Sequence, residues 1–434
     1  MRFRLSASPC GQEGLPTAME RALVLQLLDY ADPENLGGAS RVALSLAPEL
    51  NGVGFEVLTF AGCVDKQGRR EIGGLRFCFF PSPPSEERTV RSNLKLFSEP
   101  ARFFRRFLRA SPNLIFAHQP FVWWSLRRLL PSVPVVYYFH SPWPEEYLVR
   151  RSGNGGGLKL LQVGTRLALE RWALRKARLV FVASRYMLSR FKAWHRCLNL
   201  TGKVRLLGFG VDMERFGLQG PKEALRRRLG LPARSEVLIS VRRLEDRMGL
   251  DKLLEACALL RARHPSLFVV LVGIGRLEGD LRALARRLGL EGCVRFWGYA
   301  DEQDLPRLYA AADLFVLPTQ QLEGFGLVSL EASACGTPVV ATPVGGIPEV
   351  LRPIEPHFLA RGTDERALSE AIERALAAKD YDPRKLRWSV ATAYSWRAAA
   401  LRFKHYVEPL LSDFSLVSGV GHRVLARLCA GAGE

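Results

Sequence analysis

Apolar residues in this chain come in short runs, and the stretches between them mostly repeat at helical spacing. The first series of runs lies at Ala22 to Asp29 (ALVLQLLD), 55–60, 75–80, 114–117, 134–139, 178–183 and Lys203 to Leu207. A second series follows at Glu236 to Val241, Leu267 to Val272, Cys293 to Trp297, Leu314 to Leu317, Pro338 to Ala341 and 357–360. Runs of this length, bounded by turn residues, predict buried strands. Helical patterns are predicted between most of them, among others at 39–50, 158–176, 222–229, 301–311, 327–335, 364–379 and 384–393. Strand alternating with helix predicts an α/β fold of parallel, doubly wound sheets.

The chemistry concentrates in residues 313–346 (DLFVLPTQQLEGFGLVSLEASACGTPVVATPVGG). A strand closed by Pro318 leads through a polar loop to Glu323, then Gly324-Phe325-Gly326, then a helix from Leu327 that Gly336 and Pro338 stop. The unit is a βαβ turn whose helix opens on glycines. The first turn of a helix carries unpaired N–H groups and partial positive charge, and glycines let a phosphate approach that backbone. Glu323 precedes the turn and Glu331 lies a little over two turns into the helix. Carboxylates bind sugar hydroxyls but repel phosphate, so the pair points to a ligand with both parts, a sugar nucleotide. As an isolated pair, two glutamates on a helix would be ordinary surface.

Other candidates sit at strand ends, which face the cleft in sheets of this kind. Gly37-Gly38 stand where the first strand turns into the first helix. His118 (IFAHQP) and His140 (YYFHSPWPEE) each close a predicted strand. Tyr299 follows the strand 293–297, where a nucleotide base would lie. The glycine-rich 151–157 reads equally as a mobile lid or as a connector.

Composition bounds the rest. A chain of 434 residues exceeds one ordinary core and predicts two domains. No apolar run approaches the length of a membrane span, and residues 1–20 hold no apolar signal-peptide core and are expected to be a loose extension. The eight cysteines form no CxxC or Cys/His ligand spacing, which predicts free thiols in a reducing cytoplasm. The net charge of +19 is uneven: residues 1–215 carry 32 Lys and Arg against 17 Asp and Glu. That half should be drawn to something anionic, such as the inner face of a membrane. The segment 94–110 interleaves Phe and Leu with Arg102, Arg105, Arg106 and Arg109; it is either a helix packing Phe103, Phe104 and Phe107 on its own sheet or a membrane-surface helix.

From Glu323 through AxACGTPVVAT and VGGIPE, the sequence resembles the donor-binding block of the retaining GT-B glycosyltransferases of glycosyltransferase family 4. HSPWPEEY resembles the "fHgpW" stretch of a bacterial subset of that family, GFGVDMERF its interdomain segment, SVRRLEDRMGLDKLLEA its phosphate loop, and YSWRAAALRFKHYVEPLL its last helix. The resemblance implies two Rossmann-like domains facing a cleft. It sets an acceptor domain at 21–215, joined by a crossover helix at 394–411, a donor domain at 216–393 and a tail at 412–434.

The resemblance also implies retaining transfer of a hexose from a nucleotide-diphosphate sugar to a hydroxyl acceptor: a glycan, a lipid-linked sugar or a glycolipid. No metal and no cofactor beyond that donor are implied; Asp380-Tyr-Asp382 reads as solvated surface. By residue, it implies that Glu323 holds the transferred sugar, Glu331 the ribose, Arg243 and the Gly324, Phe325, Gly326 and Leu327 amides the diphosphate, and the Gly37-Gly38 loop donor and acceptor. His140 would face the transferred sugar, with His118 second to it and Glu145 and Glu146 nearby. Where the family carries a phosphate-binding lysine this chain has Met248, and Arg247 is the expected substitute. A GT-B epimerase or hydrolase would share the donor site. A basic nucleic-acid-binding protein would share only the charge, and no helix-turn-helix, RNP or zinc pattern supports one.

Overall fold

The computed structural model describes residues 21–31, 38–82, 98–107, 111–150, 156–301, 303–378 and 381–418. Gly37, both ends of the 94–110 segment with Arg109, most of the glycine-rich 151–157 and Asp380 lie outside them.

Two largely parallel sheets form. The first contains β1 (Ala22–Leu28), β2 (Phe55–Cys63), β3 (Gly68–Ile72), β4 (Leu75–Pro81), β5 (Leu114–Ala117), β6 (Val135–Phe139), β7 (Leu179–Val182) and β8 (Val204–Leu206) in the order β3-β4-β2-β1-β5-β6-β7-β8. The second contains β9 (Glu236–Val241), β10 (Leu267–Val272), β11 (Val294–Gly298), β12 (Leu314–Leu317), β13 (Val339–Ala341) and β14 (His357–Leu359) in the order β11-β10-β9-β12-β13-β14. The fold is α/β with two Rossmann-like domains, as expected. The strands are almost continuously apolar because helices cover both faces; β5, β6 and β12 are buried along their whole length.

One strand was not foreseen. β3 pairs antiparallel with β4 through Gly73-Gly74, both at positive φ, with Ile72 opposite Leu75. A two-residue Gly-Gly loop is a hairpin signal in the sequence, but the exposed Arg69, Arg70 and Glu71 hide the apolar run that would mark a strand.

Strand order places the site. In each sheet the order reverses once, between β1 and β5 in the first and between β9 and β12 in the second. Ligands in such sheets bind in the crevice outside the carboxyl ends of the strands at that reversal. Residues following β1, β5 and β6 therefore face residues following β9 and β12.

The last helix, Trp396–Ser418, returns to the first sheet, where Phe403 packs edge-on to Phe55 and against Phe116 and Phe181. It runs past the expected end at Leu411 because no glycine interrupts it before Gly419. The helix Glu99–Phe107 buries Phe104 against Phe60 and leaves Arg102, Arg105 and Arg106 exposed, so its aromatic side belongs to its own sheet. Among the described cysteines Cys63, Cys78, Cys257, Cys293 and Cys335 are buried and Cys197 is exposed, all as free thiols.

Candidate active site

Glu323 is fixed from several directions. Its Oε2 accepts a 2.6 Å bond from Nη2 of Arg242, and its Oε1 accepts the Gly326 N–H at 3.1 Å. The residue before it, Leu322, is held at φ 53°, a conformation costly for a branched side chain. Its carbonyl accepts Nη1 of Arg247 at 3.0 Å, and the Arg247 carbonyl accepts the Gln320 N–H at 2.8 Å. Arg247 thus braces the loop that carries Glu323. Behind the loop, Gly345 has φ 64° and stands so close that a Cβ there would sit 2.1 Å from the Glu323 carbonyl oxygen. Only glycine fits both the angle and the space.

The helix expected from Leu327 runs Leu327–Ala334, and its N-cap is Gly326 at φ 80°, with no side chain capping it. Gly326 spends its own N–H on Glu323. The Phe325 side chain turns inward and packs against Phe209 and Tyr394, anchoring the glycine turn to the segment that joins the two sheets. Glu331 is buried, with Oε2 accepting the Tyr309 hydroxyl at 3.0 Å and Oε1 paired at 3.1 Å with Arg41 of the first domain's helix Gly38–Gly52. Gly38 opens that helix at an exposed position with open space beside it. Arg243 is half exposed, 4.0 Å from Glu245. Tyr299 is exposed beyond β11, as is Ile274 beyond the end of the neighbouring β10.

On the facing sheet the two histidines come together. Nδ1 of His118 and Nε2 of His140 lie 2.9 Å apart, and the His118 Nε2 lies 3.0 Å from the Gln26 amide nitrogen. That amide also donates to the Ala43 carbonyl at 3.0 Å, while the Gln26 oxygen accepts the Thr59 hydroxyl at 3.1 Å. The Gln26 orientation is thereby fixed, so His118 Nε2 must accept. Burial pushes the His118 pKa well below its usual value, with the neighbouring His140 lowering it further. Burial also lowers His140 to about 4, against a smaller opposing effect of Glu146. Both rings are neutral near pH 7. His118 then carries its proton on Nδ1 and donates to His140 Nε2, which leaves the His140 proton on Nδ1. His118, second choice from the sequence, is the partner that sets the His140 tautomer.

The turn after His140 is also braced. The Trp143 N–H donates to Oε1 of buried Glu170 at 3.1 Å, and Ser141 Oγ donates to Glu146 Oε2 at 3.0 Å. Glu145 is held by the Arg190 guanidinium and by Trp194 Nε1.

The two sheets meet across the cleft. Ser184 Oγ caps its own helix at Met187 N–H and donates to the Gly324 carbonyl at 2.8 Å. Glu349 accepts the Arg185 and Tyr186 N–H groups at the start of the same helix, Arg185–Trp194. A Cβ on Gly324 would lie 3.8 Å from the His140 carbonyl oxygen. The strand end bearing His140 thus rests against the glycine turn after Glu323.

Two family models match the chain: Glycosyltransferase Family 4 over residues 36–215 and Glycosyl transferases group 1 over residues 221–390. The chain belongs to glycosyltransferase family 4.

Among relatives, D-inositol 3-phosphate glycosyltransferase of Corynebacterium jeikeium is 36% identical over 239 residues, which are 51% of this chain and 54% of that protein. A GDP-mannose-dependent alpha-(1-6)-phosphatidylinositol monomannoside mannosyltransferase of Mycolicibacterium smegmatis is 36% identical over 230 residues, 50% of this chain and 58% of that one. The matched part thus spans about half the length of these relatives. Sucrose-phosphate synthase from Thermosynechococcus elongatus shares the fold, with a TM-score of 0.74 at 24% identity over 91% of this chain and 100% of that one.

Against the family pattern, the residue that sequence reasoning missed is Arg242. It stands beside Arg243, the arginine expected from the resemblance, and its contact with Glu323 joins residues 81 positions apart. The signal was available: an arginine directly precedes the expected one in the same loop.

Proposed function

We propose that this family 4 chain is a retaining, metal-independent glycosyltransferase. It moves a hexose from a nucleotide-diphosphate sugar to a hydroxyl of a glycan, a lipid-linked sugar or a glycolipid. The observation that carries this reading is the placement of Glu323, the uncapped Leu327–Ala334 helix tip and the His140 strand end around one crevice at both order reversals.

The diphosphate lies at the helix tip, where the helix amides and Arg243 meet its charge as the leaving group departs. Glu323, oriented by Arg242 and the Gly326 amide, accepts hydroxyls of the transferred sugar. Glu331 takes the ribose once Arg41 releases its Oε1. Cations and amides at the diphosphate support a reaction without a metal. Asp382 of the Asp-x-Asp pattern serves instead as the cap of the helix Pro383–Ala393. Retention through a covalent intermediate would need a carboxylate placed to attack the anomeric carbon. Glu145 is committed to Arg190 and Trp194, which supports same-face transfer in which the leaving phosphate takes the acceptor proton. The His140 carbonyl and neutral ring then line the face where positive charge grows on the sugar.

The GDP-mannose-dependent relative favours GDP-mannose as donor, and both relatives favour a polyol or lipid-linked acceptor. No helix among the described residues is long and apolar enough to cross a membrane. Approach to a lipid acceptor would instead use exposed Arg102, Arg105 and Arg106, together with exposed Leu160 and Leu161 on the helix Gly156–Lys176. The experiment is a thermal-shift screen of nucleotide sugars, followed by acceptor trials with the stabilising donor in the presence of EDTA and NMR of the product anomer. An α-linked product from an α-linked donor, formed in EDTA, is expected. Free sugar or an epimer as the sole product would replace transfer by hydrolysis or epimerisation.

A further inference from the structure

The carboxylate that meets the start of the helix Arg185–Trp194 comes from the other domain. Ser184 caps that helix through the Met187 N–H, and the first turn carries no acidic residue of its own. The first N–H groups of a helix have no partner within it and carry partial positive charge. Those of Arg185 and Tyr186 go to Glu349, at 2.8 Å and 3.3 Å from its Oε2, and the Arg185 N–H also reaches Oε1 at 3.0 Å.

These contacts close a ring around Glu323. Glu349 belongs to the short helix Ile347–Leu351, whose N-cap Gly346 donates its N–H to the Glu323 carbonyl at 2.8 Å. The next carbonyl, that of Gly324, accepts Ser184 Oγ at 2.8 Å, and Ser184 leads straight into the helix that Glu349 meets. Gly346 is wedged inside the ring: a Cβ there would lie 2.4 Å from the Gly324 carbonyl oxygen and 3.2 Å from Ser184 Oγ. Further along the same first-domain helix, Arg190 and Trp194 hold Glu145, which stands in the helix Trp143–Arg150 just after His140. One helix is therefore fastened to the Glu323 loop at its first turn and to the His140 turn at its later ones.

We propose that Glu349 is a positioning residue for sugar transfer: by meeting the start of the helix Arg185–Trp194 it fixes Glu323 of one domain against the His140 strand end of the other. The assignment rests on the proposal that sugar is transferred in this crevice. Glu349 acts through the helix and touches no reacting atom. Its carboxylate and the N–H groups it meets belong to different domains, so parting the domains returns both to water and closing them restores the contact. Closure is thereby favoured by a charge set against a helix start, with no substrate involved. Transfer is sensitive to such alignment, because a misplacement of about 1 Å can cost about 100-fold in rate.

The test compares wild type with Glu349→Ala and Glu349→Gln. Hydrogen exchange with fragmentation mass spectrometry reads the Arg185 and Tyr186 amides, calorimetry reads the affinity for GDP and UDP, and steady-state assays read transfer. Glu349→Ala should speed exchange of both amides about 10-fold, the scale of one charge-assisted hydrogen bond, and lower kcat about 10-fold. Affinity for the preferred diphosphate should stay within about twofold, because the nucleotide is held by the second domain alone. Glu349→Gln should fall between wild type and Glu349→Ala in both exchange and kcat, since its amide oxygen still accepts the two N–H groups without the charge. It also serves if Glu349→Ala does not fold. Unchanged amide exchange, an unchanged kcat, or a diphosphate affinity that falls in step with kcat overturns the assignment while leaving the transferase reading standing. A wild type that transfers sugar from no nucleotide sugar overturns both.

Discussion

The two order reversals occupy equivalent places in similar sheets, yet they are furnished in opposite ways. Behind β1 and β5, Thr59, Gln26, His118 and His140 form one chain of hydrogen bonds between neutral groups, with both imidazoles held uncharged by burial, and the buried acid beside them, Asp29, is turned to the Val122 N–H. Behind β9 and β12 the groups are ions: Arg242 with Glu323, Arg41 with Glu331, and Arg243 close by. A doubly wound sheet supplies the crevice and the alignment of strand ends; it does not dictate polarity. The charged crevice suits a diphosphate and the hydroxyls next to it. The neutral one suits a sugar that gains positive charge as that diphosphate leaves, because a protonated histidine there would oppose the change.

Removing charge from the charged side should hurt most. Glu323→Ala should lower turnover at least about 100-fold, the scale for losing a charged contact to the transition state, in steady-state assays with the preferred donor. A near-normal rate would show that the ion pair is only structural.

On the neutral side, His118→Ala should lower kcat about 10-fold with little change in donor affinity, because it loosens the tautomer and position of His140 rather than a donor contact. Equal loss in kcat and donor affinity would make His118 a packing residue. The same crevice makes a pH prediction. Unfolded histidines bind protons below about 6.5, whereas folded His140 does so only near 4 and His118 well below its usual value. Between those values the unfolded chain holds more protons, so the contribution of this pair to stability should be flat above about pH 6.5 and fall as pH drops towards 4. Urea melts of wild type and His118→Ala across that range measure it, and the pH–rate profile should show no inflection at the ordinary histidine pKa.

The smallest effect tests the bridge between the crevices. Arg41→Met releases Glu331 Oε1 and should tighten donor binding, by up to about 5-fold for a pair whose arginine is partly exposed. Weaker binding would mean that Arg41 itself contacts the donor.

The charged crevice was more legible in the sequence than the neutral one. Glu323, the glycine turn and Glu331 lie within one βαβ unit, where strand and helix periodicity fix their relative places. The strands were legible because continuous apolar runs mark buried parallel sheet; β3 escaped because its exposed residues are charged. What the sequence could not display were contacts made through space. Gln26, His118 and His140 come from β1 and the ends of β5 and β6, and meet only because these strands pair side by side. Arg41 reaches Glu331 across 290 positions, and Arg242 reaches Glu323 across 81.

The most direct test is a crystal of the protein soaked with its preferred nucleotide sugar. The account predicts the diphosphate at the start of the Leu327–Ala334 helix, within hydrogen-bonding distance of Arg243, with the sugar hydroxyls on Glu323. A nucleotide bound elsewhere, or a sugar whose hydroxyls leave Glu323 untouched at saturating ligand, would contradict it.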